Sequence, residues 1–162
     1  MRNKLAFSSR WWALSARSAS SSPRIASTFS WASWAALYAS WEKDVQVEEY
    51  RLEDAEVVLT AYGISARICK SAVELLRAQG VKAGLIRPIT VHPFPYAAYD
   101  HIDYSRVKAV LDVEMSIPAQ FVDDVAVAVK DRCPIETCLC SGGNIMSRDK
   151  VLAAVKKIME GK

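Results

Sequence analysis

A chain of 162 residues that is 51% apolar is long enough for one domain with a sizeable core. Its net charge of +3 is misleading: residues 1–41 carry +5 and residues 42–162 carry −2, so the later part has no basic stripe of the kind that tracks phosphates, and a nucleic-acid partner is excluded. No apolar run approaches the roughly 18 residues of a spanning helix and no signal-peptide core stands out, which excludes a membrane partner and leads us to expect a soluble, cytoplasmic chain.

The chain changes character near residue 44. Residues 1–44 hold all five tryptophans and eleven serines, with no acidic residue before Glu42 and no glycine. Arg, Ser and Ala in that proportion fit an organelle transit peptide, while poor helical phasing and heavy tryptophans fit a non-native segment, such as one read from a shifted frame. We expect 1–44 to be an irregular or disordered tail, 45–55 a charged linker or edge segment, and 56–162 the folded domain.

Within that domain, strand and helix patterns alternate. "EVVLTAY" (56–62) is a β-branched run closed by Gly63 and predicts a buried strand. "ISARICKSAVELLRAQG" predicts a helix with Ile68, Ala72, Leu75 and Leu76 on one face, Ser65 placed to cap its start and Gly80 to stop it. "VKAGLIR" (81–87) is a second strand, with Pro88 expected to end its ladder by removing a donor. "PYAAYDHIDYS" reads as a short helix or turn. "RVKAVLDVE" (106–114) is a third strand. "PAQFVDDVAVAVKDR" is a helix with Phe121, Val122, Val125 and Val129 on one face and Pro118 in its first turn. "PIETCLC" (134–140) is a fourth strand, "SGGN" a turn, and "SRDKVLAAVKKIMEG" a last helix capped by Ser147. Short strands separated by helices predict an α/β fold of three layers, a mostly parallel sheet with helices on both faces.

Ligands or partners of such a sheet meet the loops at the carboxyl ends of its strands. "YGISAR" has one glycine where a dinucleotide fingerprint needs three, and Ser65 lacks the context of a nucleophile. "SGGNIMS" offers backbone N–H groups to an anion, or simply a tight turn. Glu114 is the best single carboxylate for a functional role, with an ion pair to Arg87 as its structural alternative. His92 and His101 stand beside no Cys or carboxylate in ligand spacing. Cys69, Cys133, Cys138 and Cys140 lack the paired spacing of a zinc site and read as buried thiols, with Cys138 and Cys140 on one strand face. No catalytic, cofactor or metal residue is assigned. "RPITVHPFP" (87–95) holds three of the six prolines. Each of Arg87, His92 and Phe94 precedes a proline and is biased toward extended backbone, so the segment has little entropy left to lose and suits a protein interface presenting His92 and Phe94.

"AYGISARICKSAVELLRAQGVKAGLIRPITVHPFP" (61–95), with "VEMS" at 113–116 and the pair Gly142 and Gly143, resembles the C-terminal domain of the alpha subunit of 2-oxoacid:ferredoxin oxidoreductases, a domain of the transketolase C-terminal type. The likeness is best to the branched-chain, 2-ketoisovalerate type and runs from about Tyr50 to Met159. One departure follows "VEMS", where Ile117, Pro118 and Ala119 stand in place of an expected glycine before Gln120. The resemblance implies oxidative decarboxylation of a 2-oxoacid to an acyl-CoA, with electrons passing to ferredoxin. It also implies that thiamine diphosphate, Mg and iron–sulfur clusters belong to other domains or subunits, none being held by this chain. Residues 1–44 are too short for the preceding domain that helps hold the thiamine pyrimidine, so the chain is expected to be an alpha-subunit fragment serving assembly, inactive alone. The interface or loop candidates are Ser65, Arg67, Arg87, His92, Phe94, Glu114, Gln120, Gly142, Gly143 and Asn144. The rival reading is a free-standing small-ligand-binding or regulatory module using loops 63–67 and 141–147.

Overall fold

The computed structural model describes residues 31–161. Backbone packing divides the chain into one unit over Met1–Glu42 and another over Lys43–Lys162. In the first, helix α1 spans Trp31–Trp41, inside the stretch expected to be irregular. Tyr38 meets Trp34 and Trp41 at helical spacing, with ring centroids 6.4 and 4.7 Å apart. The readings placed on residues 1–30 lie outside the described residues.

In the second unit the elements follow in order: β1 (Val47–Tyr50), β2 (Val57–Thr60), α2 (Gly63–Ala78), β3 (Ala83–Pro88), α3 (Tyr96–Asp100), β4 (Ala109–Glu114), α4 (Phe121–Val129), β5 (Ile135–Leu139) and α5 (Arg148–Met159). The sheet runs β1-β3-β2-β4-β5, with β1 antiparallel to β3 and every other pair parallel. This is the mostly parallel α/β architecture expected from the alternation of strands and helices. The segment 45–55 supplies the antiparallel edge strand.

Side chains alternate across the strands and build two cores. On one face Val57, Leu59, Leu111 and Val113 pack with Cys69, Val73 and Leu76 of α2 and Val151 and Val155 of α5. On the other, Val58, Ile86 and Val110 pack with Tyr99 of α3 and Phe121, Val125 and Val129 of α4. With helices on both faces, every residue of β2 and β4 is buried, which is why β2 is a continuous β-branched or apolar run and β4 is apolar but for Asp112 and Glu114. Each large aliphatic side chain so buried contributes about 1.5–3 kcal/mol. Gly84 of β3 is required by close approach: a Cβ there would lie 2.8 Å from the Arg51 carbonyl oxygen and 2.9 Å from Leu52 Cδ2.

Four local expectations need correction. Ser65 does not cap α2. Gly63, at φ 57°, turns the chain early, Tyr62 is the cap position, and Ser65 is carried into the first turn and buried. The inward face of α2 is centred on Ala66, Cys69, Val73 and Leu76, which leaves Ile68 and Leu75 half-buried at its margins. Pro88 is the last residue of β3, but it does not end the ladder for want of a donor. It stands opposite Val47, and the next residue, Ile89, donates to the Gln46 carbonyl at 2.9 Å, so Pro88 falls at a position of the antiparallel pair where no donor is needed. Pro118 lies ahead of α4, because Gln120 is the cap position and Glu114 fixes the helix start there. Ser147 does cap α5, accepting from the Lys150 N–H at 3.2 Å. Among the described residues no helix is long and apolar enough to cross a membrane.

Candidate functional site

The four parallel strands deliver their following loops to one edge of the sheet, and antiparallel β1 begins there, with Val47 opposite Pro88. At this edge the exposed large apolar side chains gather: Ile64 after β2, Ile89, Val91 and Tyr96 after β3, Met115 and Ile117 after β4, and Ile145 after β5. They are between 36% and 66% exposed, and within residues 43–161 the one comparably exposed large apolar residue elsewhere is Val127. Scattered apolar residues on a surface mean little, but a collection at one rim is the kind of surface that meets protein, membrane or ligand.

Beneath the rim sits a buried polar cluster. Asp112 and Glu114, two apart on β4, share a face and are fully buried. Glu114 accepts the Gln120 N–H at 2.8 Å, the Phe121 N–H at 3.2 Å and the Ser116 hydroxyl, so its carboxylate closes the positive end of α4. Asp112 stands beside Thr60 of β2 in the sheet register, and neither of its carboxylate oxygens meets a donor, while the protonated acid bonds to Glu114. Burial, aided by the neighbouring Glu114, pushes the Asp112 carboxyl up to about 8. Thr60 Oγ1 and the Tyr99 hydroxyl are hydrogen-bonded at 2.6 Å, and burial pushes Tyr99 upward. Tyr62, packed on Phe121 with centroids 5.0 Å apart, is raised first by burial and then by Glu114 and Asp112.

The ten candidates separate by burial. Arg87 does not pair with Glu114: its Nη1 reaches Glu48 Oε2 of β1 at 3.0 Å, and Glu48 also holds Lys70 of α2. Lys70 first, with Arg87 aiding, holds the Glu48 carboxyl below its ordinary range. Phe94 is not presented outward. It is 5% exposed, stacked on Tyr99 with centroids 5.5 Å apart and tilted against Phe121 at 5.6 Å, because the core over α3 and α4 takes the ring. His92 is exposed, and its peptide bond to Pro93 is cis, as is Ile117–Pro118. Arg67 and Gln120 are exposed. Gly142 and Gly143 adopt φ of 71° and 80° and form the β5–α5 turn with Asn144, whose Nδ2 donates to the Ser141 carbonyl at 3.2 Å. The rim isoleucines and Asp112 escaped the sequence reading. Their signals are an acid at every second position of an apolar strand, "LDVE", and isoleucines set among the glycines and prolines of loops.

Two cavities bear on the candidate loops and on the opposite border of the sheet. A small one of about 200 Å³ lies at the carboxyl edge between Tyr62, Val91, Gln120, Phe121 and Asp124. A wider one of about 690 Å³ runs along β5 and α5, away from the candidate loops. Neither is lined by residues 63–67 or 141–147, so the small-ligand module gains no support. Among the described residues no three His, Cys, Asp or Glu side chains come together as metal ligands. Cys69 and Cys138 are buried core thiols raised by burial, while Cys133 and Cys140 are half-buried.

Residues 55–151 match the family model of the pyruvate:ferredoxin oxidoreductase core domain II. The ketoisovalerate oxidoreductase subunit VorB of Methanothermobacter marburgensis is 41% identical over 117 residues, 72% of this chain and 32% of that protein. The 2-oxoglutarate synthase subunit KorA of the same organism is 32% identical over 111 residues, 68% of this chain and 29% of that protein. The chain thus spans about a third of the length of these relatives. Among solved structures, the 2-oxoglutarate:ferredoxin oxidoreductase of Magnetococcus marinus superposes with a TM-score of 0.66 at 20% identity, over 82% of this chain and 24% of that one. A split-gene transketolase superposes with a TM-score of 0.59 at 19% identity, over 71% of this chain and 41% of that one. At such identities these two establish the fold, a transketolase-like α/β domain.

Proposed function

From the premise that this chain belongs to the pyruvate:ferredoxin oxidoreductase core domain II family, we propose that it is an assembly domain of a 2-oxoacid:ferredoxin oxidoreductase alpha subunit, docking by its carboxyl edge onto neighbouring domains or subunits. The whole enzyme would decarboxylate a 2-oxoacid oxidatively to an acyl-CoA and pass electrons to ferredoxin, with the branched-chain oxoacids favoured by the likeness to VorB. Four free thiols suit a reducing cytoplasm.

The observation that carries the reading is the apolar rim. Seven large apolar side chains at least a third exposed are gathered on the strand-end loops, where this class of sheet meets its ligands or partners. Arg67, Arg87, His92, Gln120 and the Gly142–Asn144 turn would frame that interface as its polar border, as in other protein interfaces. The described residues of this edge do not fit a diphosphate or its metal. The deep Glu114 carboxylate is occupied by α4 and Ser116, and much of the exposed loop surface is isoleucine, valine and methionine. Thiamine diphosphate, Mg and the clusters are therefore assigned to other parts of the complex, and no chemical step is routed through this chain.

The test is assembly. The full chain, co-expressed with the remaining oxidoreductase subunits of its own genome, should co-elute with them. Ile89→Asp and Ile117→Asp should each weaken that association by about tenfold or more, as expected for hot-spot positions, whereas Val127→Asp, far from the rim, should leave it intact. Equal assembly of all three variants would refute the docking edge.

A further inference from the structure

β5 forms the outer border of the sheet on the side opposite β1. Its bonding to β4 alternates. The Pro134 carbonyl accepts from the Val110 N–H at 2.9 Å and the Cys140 N–H donates to the Glu114 carbonyl at 3.1 Å, so even-numbered residues face β4. Ile135, Thr137 and Leu139 accordingly turn their N–H and C=O groups to the open side. An open strand edge is a template for another strand. Here it borders the 690 Å³ cleft, whose apolar floor is Leu111, Cys138, Ala154 and Ile158.

Charge selects the occupant. Lys108, Lys150 and Lys157 line the cleft against one anion, Glu136. Lys150 already marks the edge, its Nζ donating to the outward Leu139 carbonyl at 2.6 Å. We propose that this border receives an extended acidic segment of another polypeptide as a sixth strand. The segment's backbone would pair with Thr137 and its neighbours, the alternate carboxylates that it turns to the cleft face would meet the three lysines, and its apolar side chains would fall on the opposite face. A second copy presenting its own β5 would bring the same lysines together, which like-charge repulsion opposes. Nothing in this inference depends on the carboxyl-edge reading, because the two surfaces are separate.

The experiment titrates the full chain into a labelled peptide of about nine residues alternating glutamate and valine, long enough to cover a five-residue strand, with binding read by fluorescence anisotropy. Saturable binding is expected, together with slowed exchange of the Thr137 amide. The double variant Lys150→Glu/Lys157→Glu should weaken binding by about tenfold or more, and added salt should weaken it further. A peptide of the same charge with alternate backbone amides N-methylated leaves the protein unaltered and should not bind. Equal binding of the methylated peptide would reduce the effect to charge attraction and overturn the proposal. Absence of saturable binding, or sedimentation showing that the chain occupies β5 by self-association, would overturn it as well.

Discussion

Asp112→Asn isolates the most unusual feature of this core. The substitution keeps the side chain's shape and removes its ability to ionise. In the native fold burial, with Glu114 adding to it, moves the Asp112 carboxyl from 3.8 to about 8. Between those two values the folded state holds one proton that the unfolded state has released, so stability is fully present below the lower value and is lost as pH rises toward the upper one. At about 1.4 kcal/mol per pH unit, the roughly three units between the ordinary value and pH 7 amount to about 4 kcal/mol. The neutral acid and the amide bury comparable polar atoms, so that cost largely cancels in the comparison. Asp112→Asn is therefore expected to be more stable than the native chain by about 3–5 kcal/mol at pH 7.5 and by only about 1 kcal/mol at pH 4.5. Urea unfolding of both proteins at the two pH values measures this directly. A difference independent of pH, or a variant less stable at pH 7.5, would refute the assignment of Asp112 as a carboxyl carrying its cost through burial.

Other perturbations follow from neighbouring contacts. Glu114→Ala removes the acceptor for the Gln120 and Phe121 N–H groups and for the Ser116 hydroxyl. It should cost about 2–4 kcal/mol in urea unfolding, and helix α4 should lose amide-exchange protection before the rest of the unit. Glu114→Gln removes the charge that helps raise Asp112, and the pH range over which stability falls should move downward in the same unfolding series. Gly84→Ala forces a methyl group against the Arg51 carbonyl and Leu52. It should cost about 1–3 kcal/mol, as overpacking does, with its effect visible in thermal unfolding at any pH.

Much of the fold was legible because the periodicities were unambiguous. "VVLT" and "AVLDVE" are fully buried strands, recognised by their apolar and β-branched residues even though acids interrupt the second. Errors collected at element ends. Pro88 reads as a terminator by its missing donor, yet the antiparallel partner decides whether that donor matters, and β1 lies some forty residues earlier in the chain. Ser65 reads as a cap by residue type, but the cap position was fixed by the glycine φ at the strand-to-helix turn, which moved Ser65 into the core. Pro118 reads as a first-turn residue, while the helix start was set by a carboxylate six residues before Gln120.

The candidate site shows why loop function is harder to read than fold. The prolines of "RPITVHPFP" imply a stiff segment, but stiffness does not say which way a ring points. Phe94 turned inward because Tyr99 and Phe121 offered it about as favourable an aromatic setting as a partner would. The outward apolar surface came instead from Ile89 and Val91 in the same segment, residues whose β-branched chains read as ordinary strand material until the strand is seen to end at Pro88. Glu114 stood out as a lone acid at a strand end, and the structure gives that position a structural occupation, the positive end of α4. Because it is so occupied, the carboxyl edge keeps no free deep carboxylate except Asp112, which is raised toward neutrality. An edge whose deep acid is raised by burial and whose exposed apolar residues are largely isoleucine gives the docking proposal its physical basis, and the assembly of Ile89→Asp and Ile117→Asp tests it.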